Sequence, residues 1–277
     1  MNIQSTAQRF STIPPRARGI ARVTVKDEHG RTRLTDLHQA GCMKLIFPKR
    51  FRPDAEAVLV NTAGGITGGD QLSLIATVKK DAALTLTTQA AERIYKAQDG
   101  DAGQVTTDIV ARENAQLRWL PQETILFDRA ALDRKLTINL AETATALVVE
   151  TLVFGRTLMG ETLSKLYLRD RITINRDGKP LYRDAIALNG DPTVHLARPP
   201  TADGAGAVST LIYTAPDAAN HLAPIRTALP KTAGASMITD DTLVLRLLAP
   251  DSFLIRSHLI PILDRLTNGC LPINWRL

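Results

Sequence analysis

"DAALTLTTQ" runs from Asp81 to Gln89, and "NAQLRWLPQ" from Asn114 to Gln122. Laid over one another at an offset of 33 residues, they place Ala82 on Ala115, Leu84 on Leu117, Leu86 on Trp119 and Gln89 on Gln122. Each copy alternates apolar and polar residues, the pattern of a strand with one buried face. A looser third copy, "TATALVVE", begins at Thr143. A repeat of this size, built on one strand, suggests a chain wound into stacked β layers, because a single unit cannot bury its apolar face alone. With two clear copies, coincidence stays open as the alternative.

Outward from the repeat, short alternating runs continue in both directions. "ARVTV", "VLVNT", "LSLIATV", "VTTDIV", "LTINL", "ALVVETLVF" and "RITIN" lie between Gly19 and Leu188. Turn residues in "DEHGR", "KKDAA", "RENA" and "NRDGKP" separate them, and Asp177-Gly178 is a hairpin signal. Beyond a small-residue loop at "TADGAGAVS" (201–209) the pattern changes. "DAANHLAPIRTAL" (217–229) reads as a helix capped by Asp217, and "DTLVLRLLA" as a strand. "SHLIPILDRLTNG" reads as a second helix, capped by Ser257, with Pro261 in its first turn and Gly269 as its stop. The expectation is a mainly β fold, β-helix-like with stacked β layers and two or three α-helices, mostly C-terminal. Residues 1–18 read as a flexible arm, and 19–277 as a single β-rich domain.

"NTAGGITGGD" (61–70) raises the question of a phosphate loop. Asp70 stands where a P-loop has lysine, and Gly64, Gly65, Gly68 and Gly69 lack the dinucleotide spacing. Strand-like runs flank the loop, so no helix N-terminus is offered to an anion. Either the glycines make tight bends between strands, or they let a ligand or partner backbone come close.

Composition narrows the classes. The chain has 277 residues, 44% hydrophobic and 22% charged, with a formal net charge of +6. Its 34 Lys and Arg are scattered, which argues against nucleic acid and is compatible with an acidic protein partner. Cys42 and Cys270 form no CxxC pair, and the five histidines are not spaced as metal ligands. Cys42 reads as a small buried hydrophobe. No apolar leader and no membrane-length apolar stretch is present, so a cytoplasmic location and no membrane partner are expected.

Carboxylates in apolar strands are the anomaly. Glu150 interrupts "ALVVETLVF", sharing one parity with Ala146 and Val148, where an unpaired charge costs several kcal/mol. On the other parity it faces water. Asp184 follows "PLYR", and Glu161 follows "FGRTLMG" with Arg156 near enough for an ion pair. An acid/base hydrolase using Glu150, Asp184 and Glu161 is one reading of these groups.

Several stretches together resemble the urease accessory protein family UreD, also called UreH. They are "NTAGGITGGDQL", "TTQAAERIYKA" with "LRWLPQETILFDRA", "FGRTLMGET", "GASMITDDTLVLRLLAPDS" and, more loosely, "LPINWRL". "QAGCMKLIFPK" departs from the family's wording around Cys42. The resemblance covers about residues 19–277. It implies a largely β, β-helix-like fold and a maturation scaffold, not an enzyme. Such a scaffold works with UreF and the GTPase UreG, docks on apo-urease and helps route nickel to its active site. Nucleotide then belongs to UreG, no cofactor is tightly bound, and nickel is in transit. By motif, Glu150 and Asp184 match acidic positions along the family's internal channel, with Asp70 and Glu92 placed nearby. Trp275 and Leu277 of the apolar tail are expected at the UreF interface. A pure adaptor with no metal path is the remaining alternative.

Overall fold

A computed structural model describes residues 15–49, 52–98, 100–156 and 160–276. In chain order it contains β1 (Arg18–Glu28), β2 (Arg31–Gly41), β3 (Met43–Ile46), β4 (Ala55–Asn61), β5 (Gln71–Val78), β6 (Ala83–Thr88) and β7 (Glu92–Ile94). There follow β8 (Gly103–Ala111), β9 (Gln116–Leu120), β10 (Thr124–Leu126), β11 (Ala131–Leu140), β12 (Thr145–Phe154), β13 (Leu166–Arg176) and β14 (Lys179–Gly190). The C-terminal part has α1 (Pro192–Leu196), β15 (Ala207–Thr214), α2 (Ala218–Ala228), β16 (Ala233–Thr239), β17 (Thr242–Ala249) and α3 (Ser252–Thr267), then a 3-10 turn at Ile273–Trp275.

The chain alternates between two sheets. One has the order β14-β13-β11-β8-β5-β1-β2, the other β16-β17-β15-β12-β9-β6-β4-β3 with β7 and β10 beside it. The 33-residue repeat is one turn of this winding. β6 and β9 pair in parallel with Leu84 opposite Leu117 and Leu86 opposite Trp119. The facing sheet keeps the same period, with Ala76 of β5 opposite Ile109 of β8. The third copy is looser because the next turn is four residues shorter: Leu117 meets Ala146, 29 residues on. The corners stack too. Asp81 and Asn114 both adopt positive φ (60° and 57°), which Asp and Asn tolerate best after glycine. Asn114 Nδ2 donates to Asp81 Oδ1 at 2.8 Å, and Asn114 N to Thr143 Oγ1 at 2.9 Å.

Two cores result. The first lies between the sheets, and the second lies under α2 and α3 on the outer face of the larger sheet. β12 is buried on both faces, Ala146, Val148 and Leu152 toward the first core and Leu147, Val149 and Val153 toward the second. A strand covered twice reads as a continuous apolar run, which "ALVVETLVF" does. Asp177 (φ 47°) and Gly178 (φ 73°) turn β13 into β14, as the dipeptide indicates.

Several local expectations fail for local reasons. Asp217 precedes α2 but makes no side-chain cap; its carboxylate binds Tyr213 Oη (2.8 Å) and His221 Nε2 (3.0 Å) instead. α3 begins at Ser252, capped by Asp251, whose side chain accepts from Leu254 N at 2.8 Å. Ser257 is therefore inside it, donating to Leu254 O, and Pro261 is interior. The stop is Asn268 in the left-handed region, followed by Gly269. Part of the loop expected at 201–209 is β15 from Ala207. β2 is exposed along most of its length, so it carries no burial-driven alternation to read. Residues 1–14 of the expected arm lie outside the described residues, and Arg18 already belongs to β1. No helix among the described residues is long and apolar enough to cross a membrane.

Candidate functional site

A layer of charge crosses the first core. Arg134 on β11 lies beside Asp170 on β13. Glu150 on β12 aligns with Thr210 on β15, and Thr210 with Arg246 on β17. Glu150 thus takes the inward parity, 6% exposed. Its Oε2 accepts from Arg134 Nη1 at 2.6 Å, and its Oε1 from Trp119 Nε1 at 2.7 Å. Arg134 forks onto Asp170 with Nε to Oδ1 at 2.8 Å and Nη2 to Oδ2 at 2.6 Å, and its Nη1 also reaches Thr124 Oγ1 at 3.0 Å. The guanidinium therefore ties the two sheets together.

One cation serves two carboxylates, so the cluster carries a surplus negative charge when both are ionised. Burial is the largest influence on the Glu150 carboxyl and pushes it up; Arg134 opposes and Asp170 reinforces, leaving it raised. For Arg134 burial acts against the charge, but Asp170 and Glu150 outweigh it and hold the guanidinium charged.

Two spaces adjoin the cluster. A cavity of about 240 Å³ is lined by Leu74, Ile94, Trp119, Gln122, Arg134 and Glu150, and its other end lies at Asn61, Gly64 and Glu92. Gly64, Gln89 and Ala90 of its lining are exposed, so it opens there. Glu92 is half-buried, and burial pushes its carboxyl up to about 7 against the hydrogen bond from Asn61 Nδ2 (3.3 Å to each oxygen). On the far side of Glu150 a void of about 10 Å³ is lined by Glu150, Asp170, Asp184 and Thr210. Asp184 there pairs with Arg246, and the neighbouring Tyr182 hydroxyl is pushed up chiefly by burial and next by the Asp184 charge. Gln122 is 6% exposed; its Oε1 accepts from Arg256 Nη1 at 2.6 Å while its Nε2 has no partner.

The other expected site residues fall elsewhere. Asp70 does not line the cavity. Its Oδ1 accepts from Ala17 N at 2.7 Å and its Oδ2 from Thr67 N at 2.8 Å, closing the glycine loop onto β1. The loop holds no phosphate cradle, because this chain's own backbone fills it. A Cβ on Gly65 would lie 2.3 Å from the Tyr95 ring and 2.7 Å from Arg93 O, and one on Gly68 would lie 2.8 Å from Asp101 O. Glu161 is bound by Arg156, through N at 2.9 Å and Nε at 3.2 Å, and also accepts from Asp128 N at 3.3 Å. It is outside the charged layer, so Glu150, Asp184 and Glu161 share no cleft, and each is held by a different arginine.

Trp275 requires a correction. It is not exposed for a partner but 2% exposed in the second core, its Nε1 donating to Leu120 O at 2.9 Å, with Arg256 stacked 5.1 Å from its ring. Leu277 lies outside the described residues. Cys42 and Cys270 are free thiols, and Cys42 packs against the first core as a hydrophobe would. Among the described residues no three His, Cys, Asp or Glu side chains converge to hold a metal.

Sequence reading missed Arg134, Asp170 and Arg246. The signal was present for two of them. Arg134 shares parity with Leu132, Leu136 and Ile138, and Asp170 with Leu168 and Ile172, all buried. The parity test that singles out Glu150 applies equally to both.

Comparison with known proteins gives one answer along the whole chain. Residues 17–276 match the family described as UreD urease accessory protein. A protein of Ruegeria sp., "Urease accessory protein UreD", is 52% identical over 273 residues, covering 95% of this chain and 92% of its own. Relatives of the same description are 46% identical in Roseobacter denitrificans (95% of this chain, 96% of that one) and 41% identical in Rhizobium etli (100% of both).

Proposed function

The chain belongs to the UreD urease accessory protein family, and on that premise we propose that it is a non-catalytic scaffold of urease maturation, acting with UreF and UreG on apo-urease and passing nickel along its charged layer. The observation that carries the reading is the cavity of about 240 Å³, with Glu92 at its open end and Glu150 at its inner end. Asp184 continues the series beyond the small void. Carboxylates are hard, exchangeable donors, whereas a thiolate or imidazole cage would trap the ion. GTP stays on UreG, and the reading places the chain in the cytoplasm.

The opposing observation is that Glu150 and Asp184 are each paired with an arginine, which favours an adaptor without a metal path. The test uses Glu150→Gln with Asp184→Asn, because alanine would leave Trp119 Nε1 with no acceptor at this position and take one carboxylate partner from each of Arg134 and Arg246. The double variant is co-expressed with urease and the other accessory proteins, and complex recovery and nickel per active site are measured. Full complex recovery with a several-fold fall in nickel is expected. Normal nickel in an intact complex selects the adaptor.

The partner surface expected near the C-terminus moves from buried Trp275 to Phe253 (74% exposed) and Ile273 (63% exposed). Replacing both by serine should leave the fold intact and lower co-purification with UreF; undiminished recovery would move the contact elsewhere.

A further inference from the structure

The two outer faces of the body are finished differently. α2 and α3 pack on the larger sheet. On the seven-stranded sheet the outward positions stay exposed or half-buried. Its strands β13, β11, β8, β5 and β1 run parallel, and a parallel sheet is ordinarily covered on both faces. This open face is cationic. Between β14 and β1 it carries Arg183, Arg169, Arg171, Lys135, Arg22 and Arg18, cations scattered along the chain that the winding collects. Carboxylates do not balance them. Lys26 and Glu28 pair with one another at 2.7 Å, and Asp133 is held by Arg171 and, at 3.8 Å, by Arg169. Asp108 stands in one row with Arg22 and Arg183, two and three strands away from them. Arg18, Arg22, Lys135 and Arg183 have no carboxylate partner among the described residues, and Arg183 Nη1 donates instead to Thr173 Oγ1 at 3.2 Å. Beside Arg18 a hollow of about 470 Å³, lined also by Ile20, Gln71 and Gln104, leaves room for an incoming side chain. Seven strands at about 4.8 Å spacing and about eight residues at about 3.3 Å each make a face on the order of 750 Å². One partner gives about 800 Å² to a standard interface, where arginine is enriched and lysine depleted.

We infer that the outer face of the seven-stranded sheet docks an acidic protein surface, and that its occupant in the assembly proposed above is apo-urease. This rests on that assembly. There UreF is assigned to Phe253 and Ile273 on the helix side, so a scaffold that also reaches urease needs a second face, and the basic sheet lies on the opposite side of the two-sheet body. A second copy of the chain would meet the face with the same charge and be repelled. The arginines without partners supply forked donors for carboxylates of the incoming surface.

The test is binding of purified apo-urease by the full-length chain co-expressed with UreF and UreG, measured at low and at high salt. Arg22→Glu with Arg183→Glu should weaken that binding at least about tenfold at low salt. Recovery of UreF and the circular dichroism spectrum should not change, since both side chains are exposed. Salt should weaken the wild-type complex and narrow its lead over the variant, because attraction between charged faces is screened. The milder pair Arg22→Gln with Arg183→Gln should lose less, in the same direction. Lys79→Glu with Lys80→Glu makes the same change in net charge at an exposed corner outside the face, and should bind urease as the wild type does. An equal loss in that control overturns the inference, because net charge and not the face is then at work. Displacement of urease by a short DNA duplex also overturns it and assigns the face to nucleic acid. Wild-type urease binding in both arginine variants overturns the inference and leaves the scaffold reading standing. No urease binding by the wild-type complex overturns the two together.

Discussion

The two faces of β12 meet two different kinds of core. Leu147, Val149 and Val153 pack under the helices with Leu259, Leu263 and Trp275 in an apolar layer. On the opposite face, Ala146, Val148 and Leu152 share the inter-sheet space with Glu150, Arg134 and Asp170 and with a cavity. The helix side shows that this strand can be buried without charge. Replacing a buried ion cluster by apolar side chains is often neutral or stabilising, so stability alone does not account for the charged layer. The difference teaches that the helix-side core is packed from apolar side chains, whereas the inter-sheet core packs apolar side chains around a bonded charge cluster beside a cavity.

Trp275→Ala should break the comparison most severely. It removes a fully buried ring and its bond to Leu120 O, at about 3–5 kcal/mol, read as a lower midpoint in chemical denaturation. Deleting 271–277 should destabilise the fold itself, so lost co-purification with UreF would follow from unfolding. A cost under about 1 kcal/mol, the scale of an exposed substitution, would show that the second core is not the stabilising one.

Glu150→Gln should cost less, about 1–2 kcal/mol. It leaves one acceptor oxygen for two donors, so either Trp119 Nε1 or Arg134 Nη1 loses its partner, while desolvation eases and Arg134 keeps its fork on Asp170. A loss as large as that of Trp275→Ala would make the layer a structural device. The same denaturation series decides it.

Glu92→Gln should be the mildest. The folded carboxyl titrates near 7, above its ordinary value of 4.5. The folded chain therefore keeps a proton that the unfolded chain has lost. Stability should fall as pH rises from about 4.5 to about 7 and level off above, and Glu92→Gln should flatten that slope. Denaturation midpoints across the window check this, and an unchanged slope in the variant would place the titrating group elsewhere. Above about 7 the mouth of the cavity is anionic, so capture of cations should strengthen there.

The winding was legible because it is written locally. The offset that aligns Leu84 with Leu117 is the ladder register itself, alternation follows from the two-residue period of a strand, and the Asp177-Gly178 turn follows from two residues that tolerate positive φ. The start of α3 was ambiguous in the sequence, because Asp251 and Ser257 both offer a cap, and the structure chooses Asp251, whose side chain accepts from Leu254 N.

By itself the sequence determined a chain of short strands with a 33-residue offset and, through its motifs, the family, and it narrowed Glu150 to two directions. Only the tertiary structure decided what each inward group meets. Arg134 and Glu150 lie on different sheets, and Asp184 finds Arg246 on a strand 62 residues away. The tail was decided the same way. An apolar Trp275 fits a partner's groove or this chain's own core equally well by composition, because the hydrophobic effect is non-directional. The bond from its Nε1 to Leu120 O settled which, since a buried indole N–H goes where an acceptor is already waiting.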